Sequence, residues 1–152
     1  MSELRDLYQE MILDHGKRPR NFGPLPEANR HADGHNPLCG DKVTVAVVLK
    51  DGKVADVRFT GQGCAISMAS ASLMTEAIKG KTEAELRAMF QKFHTGLTGA
   101  DDAQAASVLA GLDKLAVFGG VRDYPVRVKC ATLPWHTLIA ALDRAAQPAK
   151  TE

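Results

Sequence analysis

Apolar positions set out most of the elements of this chain. Leu4, Leu7, Tyr8, Met11 and Ile12 fall at helical spacing within residues 3–15, with Ser2 placed as a cap and Gly16 as a stop. From Val43 the period changes to two: Val43, Val45 and Val47 alternate with Thr44, Ala46 and Val48, which predicts a strand. Asp51-Gly52 then reads as a tight hairpin turn, and Val54, Val57 and Phe59 as the return strand with one irregularity, a bulge. Gly61-Gln62-Gly63 ends the hairpin, and an Ala/Ser-rich helix from Ala65 to Lys79 follows, stopped by Gly80. Thr82 and Glu85 form a capping box opening a helix to about His94. A Gly/Thr loop from Thr95 to Asp101 precedes a single helix from Asp102 to Phe118, closed by Gly119-Gly120. The last helix runs from about Val126 to Ala145 despite Pro134, and the tail after Gln147 reads as frayed. Lys17 to Pro37, with four prolines and a basic start, reads as a solvated connector. Strands early and helices late predict an α+β domain spanning residues 1–152: a small antiparallel sheet of about three strands with helices on one side.

Charge narrows the partners. With 19 basic and 18 acidic residues the net charge is +1, which speaks against bulk nucleic-acid binding. The aliphatic run from Val43 to Leu49 is far too short to cross a bilayer. Ser2-Glu3-Leu4-Arg5-Asp6 has neither the cationic start nor the apolar core of a signal peptide. A cytoplasmic location with reduced thiols is the expectation, and three cysteines, an odd number, do not make a disulfide framework.

Those cysteines all sit at element junctions. Cys39 and Asp41 flank Gly40, whose freedom to take positive φ lets both side chains turn toward one point. Cys64 stands at a strand-to-helix junction, where the helix N-terminus favours a thiolate. Cys130 lies in the first turns of the last helix. Three thiolates and a carboxylate form a four-coordinate set suited to Zn²⁺, with bonds of about 2.3 Å to sulfur and about 2.1 Å to oxygen. The same thiolates suit iron or a cluster, and mere burial is the remaining alternative. Zinc would leave two excess negative charges. Lys42, Arg127 and Lys129 flank the ligands and supply the compensating cations. Carboxylate is the weakest zinc ligand of the set, so Asp41 is the arm most readily exchanged.

Three stretches, Asn36-Pro37-Leu38-Cys39-Gly40-Asp41, Gly61-Gln62-Gly63-Cys64-Ala65-Ile66-Ser67 and Arg127-Val128-Lys129-Cys130-Ala131-Thr132-Leu133, occur in that order. On them the chain resembles the U-type iron–sulfur cluster assembly family, IscU and SufU, from Leu4 to about Leu142. Scaffolds of the IscU kind carry His-Cys at the third motif where this chain has Lys129-Cys130, and extra residues around 93–106 also resemble the SufU branch. The resemblance implies a SufE/IscU-like fold and zinc on Cys39, Asp41, Cys64 and Cys130. It also implies a zinc-dependent sulfurtransferase activity in which Cys39 receives persulfide sulfur from a cysteine desulfurase of the SufS type, for a downstream scaffold such as SufBCD. Arg127 matches a family arginine near the site, and Lys129 joins it as a candidate catalytic cation.

Two other functions use the same residues: a scaffold assembling a [2Fe–2S] cluster, and a structural zinc adaptor. An ammonium cannot ligate, so Lys129 in place of histidine argues against the scaffold. His35 is a minor additional candidate beside the first motif. His15, His31, His94 and His136 read as surface or capping residues, and Met68, Met74 and Met89 as core filler.

Overall fold

The computed structural model describes residues 2–37, 40–144 and 149–150. Helix α1 (Ser2–Lys17) is followed by strands β1 (Arg30–Asn36), β2 (Asp41–Lys50) and β3 (Lys53–Gln62). Then come α2 (Ala65–Ile78), α3 (Glu83–Thr98), α4 (Asp102–Ala110), a 3-10 helix (Asp113–Val121), α5 (Pro125–Leu142) and the short β4 (Ala149–Lys150). The sheet order is β3-β2-β1-β4. The first three strands are antiparallel, and β4 lies parallel to β1 beside Gly34 and His35.

The β2–β3 hairpin follows its sequence signals. Asp51 (φ 56) and Gly52 (φ 77) both have positive φ, as a type I′ turn requires. Val48 pairs with Asp56 and Leu49 with Val54, so Ala55 is the extra residue of the bulge. Strand alternation buries Val43, Val45, Val47, Val57 and Phe59 on one face and leaves Lys42, Thr44, Ala46 and Arg58 on the other. The helices cover the apolar face, α5 against β1 and β2 and α2 against β3.

Helix α2 is central. Its small residues, Ala69, Ser70, Ala71 and Ser72, are all buried, so neighbours approach from several sides. Buried hydroxyls there require partners, and they have them. Ser72 Oγ accepts the Arg20 amide (2.8 Å) and bonds His15 Nδ1 (2.7 Å), which fastens α1 and its exit. Ser70 Oγ donates to the Ala131 carbonyl of α5 (2.5 Å). Pro134 has no amide to give the Cys130 carbonyl, and the Ser70 bond falls on the next carbonyl along, that of Ala131. Phe93 stacks on Trp135 (5.2 Å) and meets Phe118 edge-on (5.8 Å), joining α3, α5 and the 3-10 helix.

Several segments depart from the periodicity reading. Arg30–Asn36, placed in the connector, is β1. Residues 102–118 form not one helix but α4 and then a 3-10 helix, because Asp113 takes φ 53 and interrupts the ladder. Helix α3 extends to Thr98, with the capping box of Thr82 and Glu85 present as expected. Ala149–Lys150 pairs with β1 where a frayed tail was expected, and the other residues after Gln147 lie outside the described residues.

Gly34 fixes how closely α5 lies on β1. A Cβ there would sit 1.9 Å from Thr137 Oγ1, inside the core. Gly34→Ala therefore overpacks the seam and is expected to cost about 1–3 kcal/mol. Urea denaturation checks this, and an unchanged midpoint would contradict the packing described.

Candidate metal centre

The site lies where the hairpin ends and α2 begins. β2 opens at Asp41 and β3 closes at Gln62, which pairs with Lys42, so the residues after Gln62 run past Asp41. Gly63 is the point of closest passage: a Cβ on it would lie 2.6 Å from Asp41 Oδ1. The missing side chain makes room for the carboxylate. Gly61, at φ 154, passes the Lys42 carbonyl as closely, with 2.2 Å to a Cβ placed there.

Cys64 is the N-cap of α2. Its sulfur accepts the Ser67 amide (3.4 Å), the work a Ser or Asp side chain does at most helix starts. Its own amide donates to Asp41 Oδ1 (3.0 Å), and its Sγ lies 3.8 Å from Asp41 Oδ2. From the other side, the second turn of α5 delivers Cys130, 1% exposed. Asn36, fully buried and paired with Asp41 across β1 and β2, directs its side-chain Nδ2 at Cys130 Sγ (3.9 Å).

One donor atom from each of Asp41, Cys64 and Cys130 lies within 4.8 Å of the others. Two ligands of a tetrahedral ion with bonds of about 2.3 Å stand about 3.8 Å apart, so this spacing suits one. Electrostatics prepare the set. The Cys130 side chain hydrogen-bonds Cys64, and the Ser67 and Ile66 amides add to it. Against burial and the Asp41 charge, they bring the Cys64 thiol from 9.0 down to about 6. Cys64 is thus a thiolate at neutral pH before any metal arrives. The residues fit zinc: two thiolates, a carboxylate, and a cradle that a Cβ at Gly63 would fill.

Of the predicted ligands, Asp41, Cys64 and Cys130 come together. Cys39 lies outside the described residues. On the described side of it, the Gly40 amide donates to the Asn36 carbonyl (2.8 Å), with Gly40 at φ 75. Arg127 is exposed on the first turn of α5, Lys129 is half-buried, and Lys42 is exposed at the start of β2. None of the three forms an ion pair among the described residues. His35 pairs with Lys42 on the opposite face of β1 from Asn36 and does not join the cluster. Asn36, Gly63 and the Ser67 amide are the parts that sequence reasoning missed. A glycine directly before a cysteine was the one available signal.

Gly63→Ala pushes the Asp41 carboxylate aside, so zinc affinity should fall by about tenfold or more while the far-ultraviolet circular dichroism stays unchanged. Chelator competition measures it, and wild-type affinity would contradict the role given to Gly63. A second expectation concerns the metal-free protein. Iodoacetamide reacts with thiolate, so peptide-resolved alkylation of Cys64 should climb as pH rises through about 6 and level off above. A midpoint near the ordinary 9.0 would rule out the electrostatics described.

Comparison with known proteins shows the family of the chain. Residues 7–131 match the family model of the NifU-like N-terminal domain. A relative from Streptococcus pyogenes, called iron–sulfur cluster assembly scaffold protein IscU, is 35% identical, covering 96% of this chain and 89% of its own. One from Bacillus subtilis, called zinc-dependent sulfurtransferase SufU, is 39% identical, covering 90% of each. A solved structure from Fervidobacterium islandicum, described as an iron–sulfur cluster assembly scaffold protein for the SUF system, superposes with a TM-score of 0.78 at 38% identity, over 88% of this chain and 94% of that one. With its three motifs, its fold and its converging donors, the chain belongs to the IscU/SufU family of iron–sulfur cluster assembly proteins, built on the NifU-like N-terminal domain.

Proposed function

We propose that the protein is a zinc-dependent sulfurtransferase of the SufU type, with Cys39, Asp41, Cys64 and Cys130 as the metal ligands. The observation that carries this is the convergence of Asp41, Cys64 and Cys130 donors beside a lysine. Lys129 stands next to Cys130 and offers a positive charge, not a nitrogen ligand. The 39% identity to a protein called a zinc-dependent sulfurtransferase supports the same reading.

Bound zinc would keep the thiols deprotonated and in reserve at neutral pH. The rest falls to the chain. Asp41, the one oxygen donor, is the exchangeable arm. Cys64 and Cys130, the cap of α2 and a buried residue of α5, are fixed by their helices. Cys39, between Leu38 and Gly40 in sequence, is the thiolate offered to a partner. A cysteine desulfurase of the SufS type presents a persulfide. Cys39 Sγ attacks its outer sulfur, a new S–S bond forms on Cys39, the old S–S bond breaks, and the desulfurase cysteine leaves as a thiolate. Arg127 and Lys129 face the incoming charge. The sulfur then passes to a scaffold such as SufBCD in the cytoplasm.

A second reading has support in the similarity to proteins called assembly scaffolds. In it, the same thiolates hold a [2Fe–2S] unit as cargo.

Anaerobic purification separates the two readings: stoichiometric zinc is expected, whereas iron with acid-labile sulfide would favour the scaffold. With a SufS-type desulfurase and free cysteine, the wild-type chain should speed sulfide release and acquire an adduct of about 32 Da on Cys39. Cys39→Ala should return the rate to that of the desulfurase alone, and undiminished stimulation would sink the transfer assignment.

A further inference from the structure

Asn36 stands out among the groups around the cluster because it is a neutral amide, fully buried, at a site otherwise made of charges. It sits at the last position of β1, opposite Asp41, on the face that α5 covers. Its two ends have separate roles. The backbone carbonyl accepts the Gly40 amide at 2.8 Å. The side-chain Nδ2 points at Cys130 Sγ at 3.9 Å, long but within reach for a sulfur acceptor.

Resting on the metal reading above, we propose that Asn36 is a positioning residue of the centre: its side-chain amide donates a hydrogen bond to the Cys130 thiolate and keeps that sulfur a permanent ligand. An N–H···S bond draws electron density from the thiolate. That lowers its nucleophilicity and disperses part of the negative charge that a set of three thiolates and a carboxylate concentrates in a buried space. Cys64 receives the equivalent bond from the Ser67 amide. The two helix-borne sulfurs are thereby muted, which leaves Cys39 as the reactive thiol of the proposed set. A backbone amide serves Cys64 because it caps a helix. Cys130 lies inside α5, where amides are committed to the helical ladder, and Asn36 offers it a donor from a side chain on the facing strand.

Cobalt(II) substitution tests this through the thiolate-to-metal charge-transfer band. Wild type should show the band. Asn36→Leu, close in volume but without a donor, and Asn36→Ala should move it to longer wavelength and weaken zinc binding by about tenfold in chelator competition. The Gly40 bond uses the backbone and survives both changes. A folded variant with unaltered band and affinity overturns the role of Asn36 and leaves the metal reading intact. Absence of a thiolate band in wild type overturns the metal reading and the proposal with it. Should both variants fail to fold, wild-type protein loaded with spin-active cadmium decides. A side-chain amide proton of Asn36 that is shifted downfield and coupled to the metal through sulfur is the expected result, and no coupling overturns it.

Discussion

Asp41 is 2% exposed, and burying a carboxylate is costly unless its charge is answered. Its described polar contacts are the Cys64 amide at one oxygen and the Cys64 sulfur, itself anionic, at the other. One neutral hydrogen bond is small compensation for two negative groups 3.8 Å apart. A cation between them would answer both charges, and several nearby groups suit that arrangement. Gly63 withholds a side chain from the carboxylate, Ser67 and Asn36 turn N–H groups toward the sulfurs, and α2 begins at Cys64 so that its N-terminal field acts on that thiolate.

The scaffold that holds these groups is stiff for reasons far from the chemistry. Helix α2 carries Cys64 at its tip and is clasped along its length: by His15 and the Arg20 amide at Ser72, by Asn21 at Thr75, and by the Ala131 carbonyl at Ser70. Gly16 lets α1 approach Ala65 so closely that a Cβ would lie 3.0 Å from its carbonyl. Helix α5 carries Cys130 and is set against β1 by Gly34 and against α3 by the Trp135 and Phe93 rings. The sulfurs meet because two glycine contacts and a row of small residues allow α1, α2, β1 and α5 to pack at short range.

Much of this could be read from the residues. The hairpin, its turn and bulge, the capping box and the three motifs each rest on local chemistry that leaves a mark in the sequence. Strand β1 left little: Arg30–Asn36 has no branched aliphatic residue, and its buried positions are Gly34 and Asn36, chosen for close approach and hydrogen bonding. The break at Asp113 was hidden because apolar spacing in 102–118 serves an α-helix or a 3-10 turn almost equally. Asn36 acquires its role only when α5 is laid across β1, 94 residues along the chain.

The outer edge of β3 is occupied near both ends. Asn21 and Gly23 bond the backbone of Phe59, with the Phe22 ring edge-on to Phe59, while Gly80 and Lys81 do the same at Val54. At the far side of the sheet, β4 lies along β1 at Gly34 and His35. Along β3, little backbone is left on which a foreign strand could extend the sheet. Recognition by strand addition is thereby discouraged at the β3 edge, where a partner has to read side chains, shape and charge instead.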